Sequence, residues 1–403
     1  MRNPVFAMLG RNAGKIALVA LLALPGLISV YDAVTKPADP NPNRKPLPPV
    51  PAGIAELLET PPLLDAWIND HFGYRLPLLQ YNNRLRFKLF REFPTVQMAA
   101  GRHGRYFLSA HNTSMQPYQA LTTVCSRATA DQATVAHLNR LFRAFHGAGL
   151  DPKLLVVPSA PQVYPEDVPR FLESECGSEV NPIDDMIKSP RIERTAAAAM
   201  FYPLREMREI KKSALLFPKT WFHWTGDGLD QVARLSLTHF WQRPLDQAPA
   251  LAQNRRIQRA DVSHLFDGVL LESETIEPDL EKSGVKGCWG AACYPEIADI
   301  AAILRDVSRF DNPRAPQRRL LIVSDSFGSK VSAWYARYYA RVEQFATNDV
   351  GRLSPAQLEA FKAYMYRERA GTDILFLYHD GGVLNNVLRF GTEPLLPAPL
   401  PKA

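Results

Sequence analysis

The chain has 403 residues, enough for one large or two modest domains, and 46% of them are apolar, which supports a sizeable core. Its formal charge of +6 is small for this length, and Lys and Arg alternate with Asp and Glu without forming a basic block. That pattern excludes an electrostatic nucleic-acid binder, and no nucleic-acid partner is expected.

In chain order, Arg2, Arg11 and Lys15 precede an apolar run from Ile16 to Val30 that extends to Val34. A positive flank before an apolar run reads as a signal sequence or a single membrane helix, and no clear small-x-small cleavage site follows it. Residues 1–34 are therefore expected to be a cytoplasmic stub and uncleaved anchor, with everything beyond exported. Residues 35–53 carry so many prolines that neither helix nor central strand can form, leaving a semi-rigid spacer. Residues 54–403 are then one exported domain.

Within that domain, Pro62 to Phe93 has the apolar spacing of two short helices, and Asp131 to Phe145 that of an amphipathic helix ending near Gly147 and Gly149. Strand-like runs follow at Leu154–Val157, Gly268–Leu271, Leu320–Val323 and Ile374–Tyr378. Strands alternating with helices predict an α/β fold with a mainly parallel sheet covered on both faces. Gln242 to Ser263, rich in Arg, Gln and Pro, reads as a surface excursion, and Pro394 to Pro401 as a Pro-rich tail.

All four cysteines lie in the exported part, where an even count favours disulfides. Of the three possible pairings, Cys288–Cys293 closes a short Gly-containing loop and leaves Cys125–Cys176. The spacing lacks the paired Cys-x-x-Cys knuckles of a zinc site, and no metal is expected.

The segment that carries chemistry is Arg318 to Lys330. An apolar strand runs directly into Ser324-Asp325-Ser326-Phe327-Gly328 and then into a helical pattern. A serine on a strand-to-helix turn sits at the carboxyl edge of a parallel sheet, where backbone N–H groups and the helix dipole stabilise an oxyanion. The competing reading is that Ser324, Asp325 and Ser326 only cap the helix. A serine nucleophile needs a base, and His223, in Trp221-Phe222-His223-Trp224 just before a helix start, is the best-placed histidine. His379-Asp380 ends the last strand at the same edge, so His379 joins Trp221, Trp224 and Asp325 as a candidate pocket residue. Arg75, Arg102 and Arg105 read as solvated surface charge.

These motifs resemble the AlgJ/AlgX-like SGNH acetyltransferases over most of the exported part. Asn69-Asp70-His71-Phe72-Gly73-Tyr74-Arg75 is similar to the family's Asp-His-Phe-x-x-Arg stretch, and Gly101 to Phe107 to its Gly-x-x-Gly-Trp-Leu-Phe element. Val157-Pro158 through Tyr164-Pro165 is similar to Pro-x-Lys-x-x-x-Tyr-Pro, with Gln162 near the usual Lys. Asp325-Ser326-Phe327-Gly328 matches the family's Asp-Ser-Phe-Gly block. The resemblance implies an SGNH-hydrolase-like three-layer sandwich behind one N-terminal membrane helix, anchored in a bacterial inner membrane with its catalytic domain in the periplasm. It implies acetyl transfer to an exported polysaccharide through Ser326 and His223, with a membrane O-acyltransferase as acetyl donor and no cofactor.

One departure bears on mechanism. The family presents Asp-x-His-Trp, whereas Trp221 stands here where the orienting Asp belongs. Three accounts follow: a Ser326–His223 dyad, a substitute acid in Asp227 or Asp230, or a site that only binds glycan in an assembly role. An acetyl esterase using the same Ser and His is a further alternative.

Overall fold

The computed structural model describes residues 48–71, 75–126, 132–243, 245 and 248–397, with 13–15, 17–20, 23–24, 27–28 and 31. Much of the expected anchor and spacer, residues 72–74 of the early motif, the Arg75 side chain and the tail beyond residue 397 lie outside the described residues. Among the described residues no helix is long and apolar enough to cross a membrane.

The chain divides into two compact units, one formed by Met1–Phe90 with Asp267–Val269, the other by Arg91–Phe266 with Leu270–Ala403. The first contains α1 (Ile54–His71) and α2 (Arg75–Phe90). The helix expected from Pro62 starts at Ile54 and carries Pro61 and Pro62 inside it. In the same unit Asn83 Nδ2 donates to the Asp267 carbonyl at 2.9 Å. Gly268 has φ +86°, and a Cβ there would stand 2.3 Å from the Gln80 carbonyl oxygen. The run Gly268–Leu271, expected as a strand, thus begins in a tight turn at Gly268 that glycine enters without strain, and the strand itself starts after it, at Glu272.

The second unit opens with a small hairpin of β1 (Met98–Ala100) and β2 (Tyr106–Leu108), whose turn contains Gly104 at φ +75°. Next come α3 (Gln132–Gly147) and β3 (Lys153–Val157), as the amphipathic and apolar patterns require. β4 (Met200–Phe201) is short, and α4 (Gly228–Trp241) follows the His223 segment. β5 (Gln253–Arg259) and β6 (Glu272–Pro278) pair with each other in an antiparallel ribbon separate from the main sheet. The stretch read as a surface excursion therefore supplies an ordered strand. β7 (Lys286–Trp289), β8 (Val307–Asp311), β9 (Arg319–Ser324), α5 (Ser326–Tyr335), β10 (Arg341–Ala346) and β11 (Thr372–His379) complete the chain's framework.

The central sheet has seven strands in the order β4-β3-β11-β9-β10-β8-β7. Pairings from β4 to β10 are parallel, and β8 turns antiparallel to both β10 and β7. Leu320, Leu321, Ile322 and Val323 of β9 are all fully buried. A continuously buried apolar strand has no solvent face, so layers cover both sides of the sheet. Its register sets Ser324 beside Leu377, which brings the residues after β9 and β11 together at one edge.

The cysteines pair as Cys125–Cys176 and Cys288–Cys293. Because loop-closure entropy grows with the chain enclosed, removing the first pair with Ser should cost about 4 kcal/mol and removing the second about 2 kcal/mol. Denaturant midpoints of the two double variants check the ranking. Equal losses would contradict the loop-length argument.

Candidate active site

Ser326 is the first residue of α5, on the turn that leaves β9. The turn is fixed by Asp325, whose Oδ1 accepts from the Phe327 N–H at 2.9 Å. Close packing finishes it: a Cβ on Gly328 would meet Ser324 Oγ at 2.1 Å, so the strand and helix approach only with glycine there. Capping and nucleophile placement are thus two outcomes of one local structure, with Asp325 as the cap and Ser326 Oγ left to face His223.

His223 Nε2 lies 2.8 Å from Ser326 Oγ, and His223 Nδ1 lies 2.6 Å from Asp261 Oδ2. Asp261 also accepts from the backbone N–H of His223 and of Phe222, each at 2.9 Å. Burial would raise its carboxyl pKa, but the hydrogen bonds and charge of His223 and the two backbone donors outweigh that and hold it below the ordinary carboxylate value. With Asp261 ionised, the His223 proton is drawn to Nδ1, and Nε2 presents a lone pair to the serine.

The His223 segment is held on both sides. Trp224, fully buried, donates from Nε1 to the Phe327 carbonyl at 2.8 Å, which ties the segment to the nucleophile's helix. Thr220 bonds Ser273 of β6 through its hydroxyl at 2.9 Å. Trp224 is therefore a clamp within the core and does not line a pocket.

Neither expected substitute acid serves. Asp227 Oδ1 accepts from the Leu215 N–H at 3.0 Å, closing the loop ahead of α4. Asp230 is ion-paired with Arg337 and accepts from the Tyr338 hydroxyl at 3.2 Å. Both carboxylates are committed elsewhere, and the acid beside His223 is Asp261. No motif marks this residue; it lies in the turn just after β5, 38 residues from His223 along the chain, a contact that local spacing does not encode. Trp221, at the position of the expected acid, is buried, with Lys330 Nζ 5.6 Å from the centre of its ring.

A second histidine–carboxylate pair stands beside the first. His379 donates its backbone N–H to Asp325 Oδ2 at 2.9 Å, and its Nδ1 lies 2.6 Å from the same oxygen. Its ring stacks on Phe327 with centroids 4.6 Å apart and planes 10° apart. Burial pushes the His379 pKa down, but Asp325, and beyond it Asp380, more than reverse this, leaving it above 6.5. Gln162 is fully buried, donates to the Val124 carbonyl and does not reach the triad. Arg105, expected on the surface, is 4% exposed, pairs with Asp167 at 2.7 Å and packs over the Tyr164 ring. Arg102 is partly exposed and pairs with Glu173 at 2.8 Å.

A serine, a histidine and a carboxylate stand in line at the carboxyl edge of a mainly parallel sheet, in the order that a nucleophile, its base and an orienting acid require. No protein-family model and no curated protein matches the chain. Solved structures are similar to it: a DHHW family protein from Eubacterium siraeum (10% identity, 67% of this chain and 91% of that one, TM-score 0.48), Bacillus cereus PatB1 with a sulfonyl adduct (13%, 64% and 91%, 0.39), and the O-acetyltransferase domain of Pseudomonas putida AlgJ (14%, 71% and 91%, 0.37). AlgJ is of the group that the sequence motifs resemble. At these identities the chemistry has to be read from the residues themselves.

Asp261→Asn should reduce esterase turnover on the order of 10⁴-fold with the fold intact, because the amide favours the wrong imidazole tautomer. Trp221→Asp, which restores the Asp-x-His spacing, should give no gain, since His223 Nδ1 is already engaged, and should lower stability by burying a second carboxylate. Initial rates on p-nitrophenyl acetate and thermal melts read both. A rate increase in Trp221→Asp would show that Asp261 does not do the orienting.

The His379–Asp325 pair carries a pH signature. The folded pKa lies above the unfolded value, so its contribution to stability is complete below about pH 6.5 and lost as pH rises through the folded pKa. The melting-temperature difference between the wild type and His379→Phe should shrink across that window. A difference that grows with pH would reverse the sign.

Proposed function

We propose that this protein is an O-acyltransferase that carries an acetyl group on Ser326 and passes it to a hydroxyl of an exported polysaccharide. The observation that supports this reading is the unbroken hydrogen-bond line from Asp261 through His223 to Ser326. In the first half-reaction, Ser326 Oγ attacks the acyl carbonyl while His223 Nε2 takes its proton, and Asp261 stabilises the imidazolium. The Phe327 N–H is spent on Asp325 Oδ1 and the Gly328 N–H on the Asp325 carbonyl, so the Ser326 N–H is the donor assigned to the oxyanion. His223 then returns the proton to the leaving group. In the second half-reaction it accepts the proton of the sugar hydroxyl as that oxygen attacks the acyl-serine, releasing the ester and restoring Ser326.

The wider setting belongs to the same proposal: an N-terminal inner-membrane anchor, a periplasmic domain, and a membrane O-acyltransferase as donor. Disulfides fit an oxidising compartment. With Asp261 within reach of His223, the missing acid two residues before the histidine no longer favours a role in glycan binding alone.

Ser326→Ala and His223→Ala should each abolish turnover of p-nitrophenyl acetate in folded protein, and the double variant should lose little more than either, as expected for groups that act as one unit. Intact-mass measurement should detect an acetyl adduct on the wild type and none on Ser326→Ala. Adding acetylatable oligosaccharide separates transfer from hydrolysis: a transferase modifies the sugar, whereas an esterase releases acetate alone. Undiminished turnover in well-folded Ser326→Ala would defeat the assignment.

A further inference from the structure

The first unit, which the steps above do not use, leaves apolar side chains uncovered. In α2, Asn83 and Phe87 are buried and turn one face of the helix into its own unit. Leu78, Tyr81, Leu85 and Leu89 recur at helical spacing on the opposite face, where they are 53%, 65%, 43% and 64% exposed. In α1, Ile54, Leu57, Leu58 and Leu64 are exposed as well. Single apolar residues on a surface are ordinary, but a continuous stripe along a helix marks a contact with another apolar body.

Two observations select the occupant. The first is charge: residues 75–91 carry Arg75, Arg84, Arg86, Lys88 and Arg91 and no Asp or Glu. At the angular step of an α-helix, Arg84 and Lys88 border the stripe on one side and Arg86 on the other. An apolar stripe bordered by cations suits a headgroup layer, where the apolar side chains reach the acyl boundary and the long basic ones snorkel to phosphate. Pairing the stripe with its own copy would set these cations against one another. The second observation is position in the chain. The two helices directly follow the Pro-rich spacer, and the apolar run of residues 16–34 stands before it. Extended at about 3.1 Å per residue, the spacer spans at most roughly 60 Å, so a bilayer holding that run lies within reach of α2.

We propose that the exposed stripe of α2 is a docking surface for an anionic phospholipid bilayer, on which the helix lies in the plane of the interface. The inference rests on the membrane-anchored setting proposed above and adds to it a second, lateral attachment. Leu78, Tyr81, Leu85 and Leu89 enter the headgroup–acyl boundary, and Arg84 and Lys88 meet lipid phosphates. The spacer then acts as slack between two membrane contacts, and the first unit rests on the bilayer instead of hanging from it.

The test reconstitutes the full chain, with a site-specific protease sequence inserted within residues 35–47, into phosphatidylcholine vesicles with or without phosphatidylglycerol. The spacer is then cut and the vesicles are floated, so that retention of the cut protein reads the helix without the anchor. Wild type should stay with the phosphatidylglycerol vesicles, and its partition constant should fall roughly fivefold for each cation at the surface when that lipid is left out. Leu78→Gln, Leu85→Gln and Leu89→Gln together should lower it on the order of 100-fold, about fivefold for each half-exposed leucine. Lys88→Glu gives a second reading at one exposed position and should weaken retention on phosphatidylglycerol alone, so a folding failure in the triple variant, seen by circular dichroism, leaves the question decidable. Cut wild type that leaves the phosphatidylglycerol vesicles, or folded variants that stay as firmly as wild type, would overturn the assignment. Cut wild type released as a dimer would overturn it in favour of a second copy on the stripe. The uncut proteins separate this idea from the anchor: a triple variant that leaves the vesicles uncut keeps the surface and removes the anchor, whereas wild type held uncut and lost on cutting keeps the anchor and removes the surface.

Discussion

The arrangement at the sheet edge depends on one carboxylate. Asp325 is 2% exposed, and its two oxygens are shared between the first turn of α5, through the Phe327 N–H, and the end of β11, through the backbone and ring of His379. A buried carboxylate is tolerable only when its lone pairs are filled, and here three donors fill them. The same bonds fix where Ser326 leaves β9 and how His379 stacks on Phe327. The position of Ser326 is therefore a property of two strands and a helix at once, and a loop alone could not hold it so closely.

The opposite ends of these strands are held differently. Glu343 of β10 is fully buried between Arg319 and Arg367, with the Tyr364 hydroxyl at 3.0 Å. Asp373 near the start of β11 takes Arg243, Arg318 and the Tyr339 hydroxyl. Charge compensation by arginine, which does not titrate in the working range, makes these pairs insensitive to proton traffic. Histidine is the partner at the carboxyl edge, in the His379–Asp325 and His223–Asp261 pairs. The sheet thus separates permanent charge from exchangeable charge along its strands.

Much of this was legible in the sequence, and what was not shares a physical cause. The apolar run of Leu320–Val323 ending in Ser324-Asp325-Ser326 specified a buried strand and a turn with a poised hydroxyl, because strand burial and turn chemistry are encoded within about ten residues. His223 was identified by its place before a helix. Asp261 was not, since its bond to His223 spans 38 residues of sequence and is made from the turn after β5, where no motif marks it. Asp227 and Asp230 were closer in sequence and had the right charge, but nearness along the chain says nothing of the partners that claim a carboxylate in space. Arg105 misled for the same reason: its pairing with buried Asp167 is a tertiary fact. The turn at Gly268 was lost because an apolar run looks the same whether it pairs with a strand or bends.

The separate ribbon has a consequence for how the protein fails. Ser326 is anchored to the main sheet and its helix, Asp261 follows β5 of a two-stranded element that pairs with none of the seven strands, and the His223 segment is bonded to both. Two-stranded ribbons are marginal by themselves, and local opening is cheaper than global unfolding. Detachment of this ribbon would break the Thr220–Ser273 bond and carry Asp261 away from His223 while leaving the seven-stranded sheet paired. The Asp261–His223 contact is then a more sensitive thermometer of this protein than its central sheet.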